Sequence, residues 1–419
     1  MENVCKIGVI GTGFVTKMMH IPGIAKTKKC VIQGFYDIKK DLAEEAKSLY
    51  LSLLEKNKNP VLDIALKTTK IYGTLEEMMA DVDVVDICTP PKYHMDNIKF
   101  AVEHGKHVIC EKPLAINWWT LKAYQDVLKK MKDQKLKFML HTQGIWHPLI
   151  KEGRDLIASG TIGDIIKIRI LHQGADIKKH TVNLAPLWDK FHGGGGALVD
   201  IGPHAFAGMW YWLGGNCETE AVEAKLLKAV VPVRTIAGVP NTKVMVDDDA
   251  HVTITWKDPA GRIITGDMEA SWNKKDWFEG KPAGTDIFYE ARGTKGTISF
   301  PHIVFSMAKP FGIAVAIKIV DNEGKVKLVK FPIPKKRIED VVFFDEVADV
   351  VAGKVESRND ARFAEDMLQV FGAAYLSRKK GGKVTTLREF KDYATGIANK
   401  FPTAGEQIKG IIADLFDGF

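Results

Sequence analysis

The stretch Lys6–Thr16, KIGVIGTGFVT, decides the fold. It begins inside an apolar run, Cys5–Ile10, of strand length, and passes straight into Gly11 and Gly13. A chain leaving a buried strand can turn this tightly, and leave its backbone open to a pyrophosphate at a helix N-terminus, only with glycine at such positions. The third position of that glycine fingerprint is Thr16, so the motif is imperfect, and a GxG turn alone fits many strand-to-helix junctions. The next strand gives it weight. A second apolar run, Val31–Tyr36, ends at Asp37, roughly twenty residues on, where a carboxylate accepts both hydroxyls of a ribose. A solvated acid at a strand end is the plainer reading of Asp37 alone. Strand, glycine turn and acid in order predict a dinucleotide site built from Gly11, Thr12, Gly13, Phe14, Val15 and Asp37. A carboxylate at Asp37 repels a 2′-phosphate, which favours NAD, while Lys39 and Lys40 beside it leave room for NADP.

Outward from this stretch, the first third of the chain keeps the same rhythm. Strands are expected at Val82–Cys88, His107–Cys110 and Phe138–His141. Helices are expected at Thr16–Ala25, Leu42–Leu54, Met95–Glu103 and Trp119–Lys132, with Leu51–Thr69 as a helix extension and a polar loop. Fully apolar strands separated by amphipathic crossovers predict a doubly wound (Rossmann) parallel sheet. Beyond residue 141 the strands lengthen and alternate: Ile162–Gln173, Ala221–Val231, Ala250–Trp256, Arg262–Ser271, Ile287–Ala291 and Thr297–Phe300. That pattern predicts a large open, mainly antiparallel sheet, with helices returning at Asp340–Ala352 and Ala361–Leu376. With 419 residues, two domains are expected: 1–141 for dinucleotide binding, and 142–419, an α+β domain for substrate binding and oligomerisation.

Three further segments carry chemistry. The fourth strand runs into Thr89-Pro90-Pro91-Lys92-Tyr93-His94, the fifth into Glu111-Lys112-Pro113, and Gly193–His204 reads GGGGALVDIGPH. Ligands of open α/β sheets bind beyond the carboxyl ends of the strands, where Thr89, Pro90, Pro91, Glu111 and Lys112 fall. Removing a hydride from a carbinol needs a base for the hydroxyl proton and a cation for the developing alkoxide. His204 suits the first role and Lys112 the second, and Asp200, one turn before His204, can orient the ring. Read singly, Lys112 would be a surface lysine, Asp200 a helix cap and His204 a satisfied core histidine.

In order, GxG, TPPxxH, EKP and GGGxLxDxGxH resemble the signatures of the glucose–fructose oxidoreductase / inositol dehydrogenase / MocA family, and GTKGTISF at 293–300 extends the likeness into the second domain. The resemblance implies a nicotinamide-dependent oxidoreductase acting on a sugar or polyol, with Lys112, Asp200 and His204 as its catalytic set. It also implies cofactor contacts at His94, whose other reading is a cap of the following helix, at Gln143, whose other reading is an exposed loop amide, and at Trp188, and a cis bond before Pro113. In the family an aromatic residue followed by Arg often precedes the glycine run; Asp189 follows Trp188 here, so only Trp188 is carried over. An NAD-retaining glycosidase that works by oxidation, elimination and re-reduction shares the fold. So does a nucleotide-sensing regulator, which can dispense with the lysine or histidine present here.

Composition narrows the classes. No apolar run is long enough for a membrane span and no leader layout is visible, so a cytoplasmic protein is expected. The net charge of +7 comes from dispersed lysines without interleaved aromatics, which argues against nucleic acid. Five cysteines without a CxxC pair suggest core thiols, not a disulfide framework. His172, His180 and His192 are too irregularly spaced for a metal set, and none is expected. In the second domain Val252, Ile254 and Trp256 alternate with Thr253 and Thr255. The second face of that sheet is expected to carry few charges and to pair two copies as a homodimer or homotetramer.

Overall fold

The computed structural model describes residues 4–173, 189–231, 233–236, 239–273, 287–300, 315–331 and 338–419. The chain divides into two compact units. One holds Met1–Ala115, Leu121–Trp146 and Arg337–Ala364; the other holds Ile116–Thr120, His147–Lys336 and Glu365–Phe419.

The first unit is a six-stranded parallel sheet of β1 (Cys5–Ile10), β2 (Cys30–Tyr36), β3 (Lys70–Ile71), β4 (Val84–Ile87), β5 (His107–Glu111) and β6 (Phe138–His141). Its order, β3-β2-β1-β4-β5-β6, reverses direction between β1 and β4, which is where doubly wound sheets bind their ligands. β4 and β6 are buried along their whole length, as strands covered on both faces must be. The segment expected to extend one helix into a loop instead folds as a second helix, Leu62–Thr68, followed by β3, a strand too short to show a period of two. The helix expected at Trp119–Lys132 is two helices, Trp118–Ala123 and Gln125–Asp133.

A single boundary at residue 141 does not describe the division. The segment around the helix Glu339–Val351 returns to the first unit and buries Phe343, Phe344, Val347 and Val350 there. Burial of each such side chain is worth about 1.5–3 kcal/mol, enough to bind a distant segment to a core it does not adjoin in sequence. Cys30 Sγ bonds to the Phe344 carbonyl at 3.1 Å, and Lys29 pairs with Asp349 at 2.6 Å.

The second unit is built on a nine-stranded sheet of β7 (Ile165–Gln173), β8 (Glu218–Lys228), β11 (Asp249–Lys257), β12 (Ile263–Ser271), β13 (Ile287–Gly293), β14 (Gly296–Phe300), β15 (Val315–Asp321), β16 (Val326–Phe331) and β17 (Thr385–Thr386). Between β8 and β11 stands a small hairpin, β9 (Val233–Ile236) and β10 (Val239–Lys243). All pairings in the large sheet are antiparallel except β7 with β12. Val252, Ile254 and Trp256 are buried, and the helix Gly202–Trp212 packs on β7 and β12.

The opposite face is not poor in charge. It follows the expectation on β11, with His251, Thr253 and Thr255, but the register sets Glu223, Thr253, Asp267, Arg169 and Glu290 in one row across five strands. Arg169 pairs with Glu290 at 3.2 Å and Lys167 with Asp267 at 2.7 Å. A single strand's alternation could not reveal charges supplied by its neighbours.

All five cysteines are free. Among the described residues no helix is long and apolar enough to cross a membrane.

Candidate active site

In the first unit the β1 exit is shaped by glycine. Gly11 has φ +87°, and a Cβ there would lie 3.0 Å from the Cys88 carbonyl and the Thr89 nitrogen, so β1 and β4 leave the sheet in contact. A Cβ at Gly13 would meet nothing within 4 Å, which leaves the backbone open above the turn. Thr16, the departure from the glycine fingerprint, is buried and donates its hydroxyl to the Gly11 carbonyl at 2.7 Å. The helix begins there as a π turn, Thr16–His20, before continuing as Ile21–Ile24.

Asp37 stands just past β2 and is bound back to the turn. Its Oδ2 accepts from the Thr12 amide at 2.7 Å and the Thr12 hydroxyl at 2.9 Å, and its Oδ1 accepts from the Lys39 amide at 2.9 Å. Phe14 is 41% exposed beside the open glycine. An exposed turn with free approach to its backbone and a half-buried carboxylate at the neighbouring strand end fit a dinucleotide. Gly11, Gly13 and the start of the helix would face the pyrophosphate, and Asp37 the ribose.

Thr89, Pro90 and Pro91 follow β4 at this edge, Glu111 ends β5 and Lys112 follows it. His94 is fully buried, with Nδ1 2.9 Å from the Pro113 carbonyl and Nε2 2.7 Å from that of Thr89. It therefore ties together the two loops that leave β4 and β5. Burial lowers its pKa, opposed by the two carbonyls. The Lys112–Pro113 bond is cis. Gln143 opens a short 3₁₀ turn, Gln143–Trp146; its side chain and the whole of Trp188 lie outside the described residues, as do most of the loops 176–192 and 272–285.

Glu111 has partners that the sequence did not suggest. Its Oε1 lies 2.8 Å from His20 Nε2 and 2.5 Å from His141 Nδ1, and its Oε2 accepts the Lys112 amide at 3.0 Å. His20 Nδ1 reaches Asp86 Oδ2 at 2.7 Å. Burial pushes the Glu111 carboxyl up, but the two imidazoles outweigh it and hold it well below the usual range. His20 is raised although burial alone lowers it, because Asp86 lies against it; His141 is raised by Glu111 and Asp340.

In the second unit Asp200 ends the short helix Ala197–Asp200, and His204 lies in the next helix, Gly202–Trp212. The Trp272 indole donates to Asp200 Oδ2 at 2.9 Å. The His204 ring lies nearly parallel to that of His172, 6.1 Å away, and His172 Nε2 is 3.1 Å from the Tyr289 hydroxyl. Burial lowers the His172 pKa to about 3, so that ring is neutral at any working pH.

The glycine run before Asp200 is fastened by another residue that sequence reasoning missed. Asp247 Oδ1 accepts from the Gly196 amide at 3.1 Å and the Tyr375 hydroxyl at 2.6 Å, while Oδ2 accepts from the Leu198 amide at 2.7 Å. Its carbonyl accepts from Ala197 at 2.9 Å. A Cβ on Gly196 would lie 1.7 Å from that carbonyl oxygen, which explains glycine there. The neighbouring Asp248 binds the Val230 and Val231 amides, and its carbonyl holds Trp272. Three consecutive acids before an apolar strand, Asp247–Asp249, were the available signal.

Comparisons agree with this reading of the first unit and extend it to the second. The family described as "Oxidoreductase family, NAD-binding Rossmann fold" matches residues 5–142, and the GFO/IDH/MocA C-terminal domain matches residues 150–299. The levoglucosan dehydrogenase of Pseudarthrobacter phenanthrenivorans is 31% identical over 231 residues, covering 52% of this chain and 55% of that protein. The NADP(+)-dependent D-xylose 1-dehydrogenase of Hypocrea jecorina is 28% identical over 278 residues, 63% of each chain. The matched region thus spans between half and two thirds of these relatives. A solved levoglucosan dehydrogenase in complex with NADH and levoglucosan shares the fold, with a TM-score of 0.70 at 21% identity over 91% of this chain and 99% of that one. An aldose–aldose oxidoreductase of Caulobacter crescentus has a TM-score of 0.68 at 18% identity, over 91% and 99%. The chain belongs to the glucose–fructose oxidoreductase / inositol dehydrogenase / MocA family of NAD-binding oxidoreductases.

Proposed function

We propose that this protein is an NAD(P)-dependent dehydrogenase of a sugar or polyol, with NAD preferred. The observation that carries the reading is the assembly of Gly11, Gly13, Asp37, Thr89 and Glu111-Lys112 at one edge of one parallel sheet. Relatives named for levoglucosan and D-xylose support the substrate class. The nicotinamide, when bound, supplies the hydride acceptor. His204 takes the hydroxyl proton as the carbon gives up its hydride, and the Lys112 ammonium steadies the charge that develops on the oxygen. Asp200, anchored by Trp272, supports the imidazolium that forms on His204. Asp37 selects the cofactor: its carboxylate, fixed by Thr12 and Lys39, accepts a ribose hydroxyl and repels a phosphate in its place.

A panel of aldoses, anhydro-sugars and inositols, assayed separately with NAD and NADP, tests this. The expected result is sustained NADH accumulation with at least one member, a higher kcat/KM with NAD, and a narrower gap in Asp37→Ala. Cleavage of a glycoside without net NADH would replace the dehydrogenase by the glycosidase reading.

A further inference from the structure

Behind the Lys112 turn lies a buried alternation of acids and imidazoles that the proposed reaction does not itself use. From one end it runs Asp86, His20, Glu111, His141, Asp340. The separations are 2.7 Å from Asp86 to His20, 2.8 Å from His20 to Glu111, and 2.5 Å from Glu111 to His141. At the far end His141 Nε2 stands 3.5 Å from Asp340 Oδ1, an ion pair longer than a good hydrogen bond. The five residues come from the first helix, β4, β5, β6 and the returning helix Glu339–Val351, and none is more than 7% exposed. Phe344 packs edge-on against the His20 ring and Phe343 at a tilt against the His141 ring, and Cys88 Sγ lies 3.5 Å from His20 Nδ1.

Each imidazole faces a carboxylate at both nitrogens. A neutral ring would turn a lone pair towards one of them, in a site where burial keeps solvent from relieving the repulsion. Protonation of both rings removes that conflict and leaves Glu111 as an ionised acceptor between two cations. The three atoms His20 Nε2, Glu111 Oε1 and His141 Nδ1 also lie close enough together to suggest a divalent cation. Bonds of about 2.0–2.1 Å to tetrahedral zinc would hold its ligands roughly 3.3 Å apart, and a fourth ligand would be needed. The observed 2.8 and 2.5 Å are the spacings of charge-assisted hydrogen bonds. Those spacings suit shared protons, and a zinc ion would have to spread the three atoms apart.

With Oε1 held from two sides, the Glu111 carboxylate has one orientation, and in it Oε2 accepts the Lys112 amide at 3.0 Å. We propose that His20 and His141 are positioning residues: acting through Glu111, they fix the backbone at Lys112 and so aim the lysine of the hydride-transfer step. This rests on the proposed role of Lys112 in that step.

The test uses the full chain and the best substrate of the sugar panel, with its reacting carbon protonated or deuterated. His141→Leu removes the hold, while His141→Asn and His20→Gln keep an uncharged donor at the ring nitrogen that faces Glu111. For His141→Leu, kcat should fall on the order of 10²-fold per folded molecule, with a larger deuterium isotope effect and little change in NADH affinity. His141→Asn and His20→Gln should recover most of the rate. If the leucine variant does not fold, His20→Leu takes its place, with the same fall in kcat and enlarged isotope effect expected beside recovery in His20→Gln. Unchanged kcat per folded molecule and an unchanged isotope effect in all the variants would overturn it, as would one equivalent of zinc in the purified protein. An inactive Lys112→Ala beside unimpaired histidine variants overturns this inference alone. A fully active Lys112→Ala overturns the role of the lysine and this inference with it.

Discussion

Glu111 and Asp247 perform the same mechanical task in the two units, each buried and each holding the amides of a segment that bears proposed catalytic residues. They differ in what holds them. Glu111 lies between two imidazoles, whereas Asp247 is met by two backbone amides and a phenol. Its pKa is raised by burial, with those neutral donors opposing, while that of Glu111 is depressed by its cationic neighbours. Two buried carboxylates therefore respond oppositely to pH, and burial alone predicts the direction at Asp247 but not at Glu111.

The sharpest break in this comparison is Asp247→Asn. The new amide must turn its NH₂ towards either the Leu198 amide or the Gly196–Tyr375 pair, leaving donors opposed in a buried site. A loss of about 3 kcal/mol in urea unfolding is expected, against about 1 kcal/mol for Tyr375→Phe, which removes one of three bonds. Equal small losses would mean that the glycine run is held elsewhere.

A second contrast lies within the first unit. Gly11→Ala forces a side chain into a left-handed conformation against the β4 exit and should cost about 1–2 kcal/mol of stability. Gly13→Ala meets no protein atom, so its melting temperature should match the parent while NADH binds more weakly. A destabilised Gly13→Ala with normal NADH affinity would contradict the placement of the pyrophosphate.

The pH effect is the smallest. Glu111 adds stability above its ordinary value of 4.5, lost as the pH falls through its depressed one. His20 and His141 add stability that is complete below 6.5 and lost as the pH rises through their raised values. The first unit is thus held best between 4.5 and 6.5 and loosens towards alkaline pH. Asp247 has no matching alkaline loss: its ionisation already costs stability, and that cost is complete once the pH exceeds its raised value. Hydrogen exchange, corrected for its intrinsic pH dependence, should show the Lys112 amide losing protection on alkalinisation while Gly196 and Leu198 keep theirs. Parallel losses would refute the distinction.

How much of this was legible in the sequence depends on range. The strands β1 and β6 match their expected bounds, because burial of all or all but one of their residues writes a mostly apolar run, and the glycine turn and Asp37 sit close together in the chain. The partners of Glu111 do not. His20 is 91 positions away from it, and Asp340 belongs to a helix that returns from beyond the nine-stranded sheet. Asp86 is one of two acids in the apolar run Val82–Cys88, and Asp247 one of three consecutive acids, but nothing local says what either binds. The charges on the second face of the large sheet became visible only when the register placed five strands side by side.

The central claim is that His204 and Lys112 act when charge moves, not when cofactor binds. Its most direct test is the turnover and NADH affinity of His204→Ala, measured together on the best sugar of the panel. The expected result is a kcat lower by roughly 10²–10⁴-fold with NADH affinity unchanged, and loss of the acid limb of the pH–rate profile. Near-full turnover in that variant would contradict the claim and make His204 a packing residue against His172.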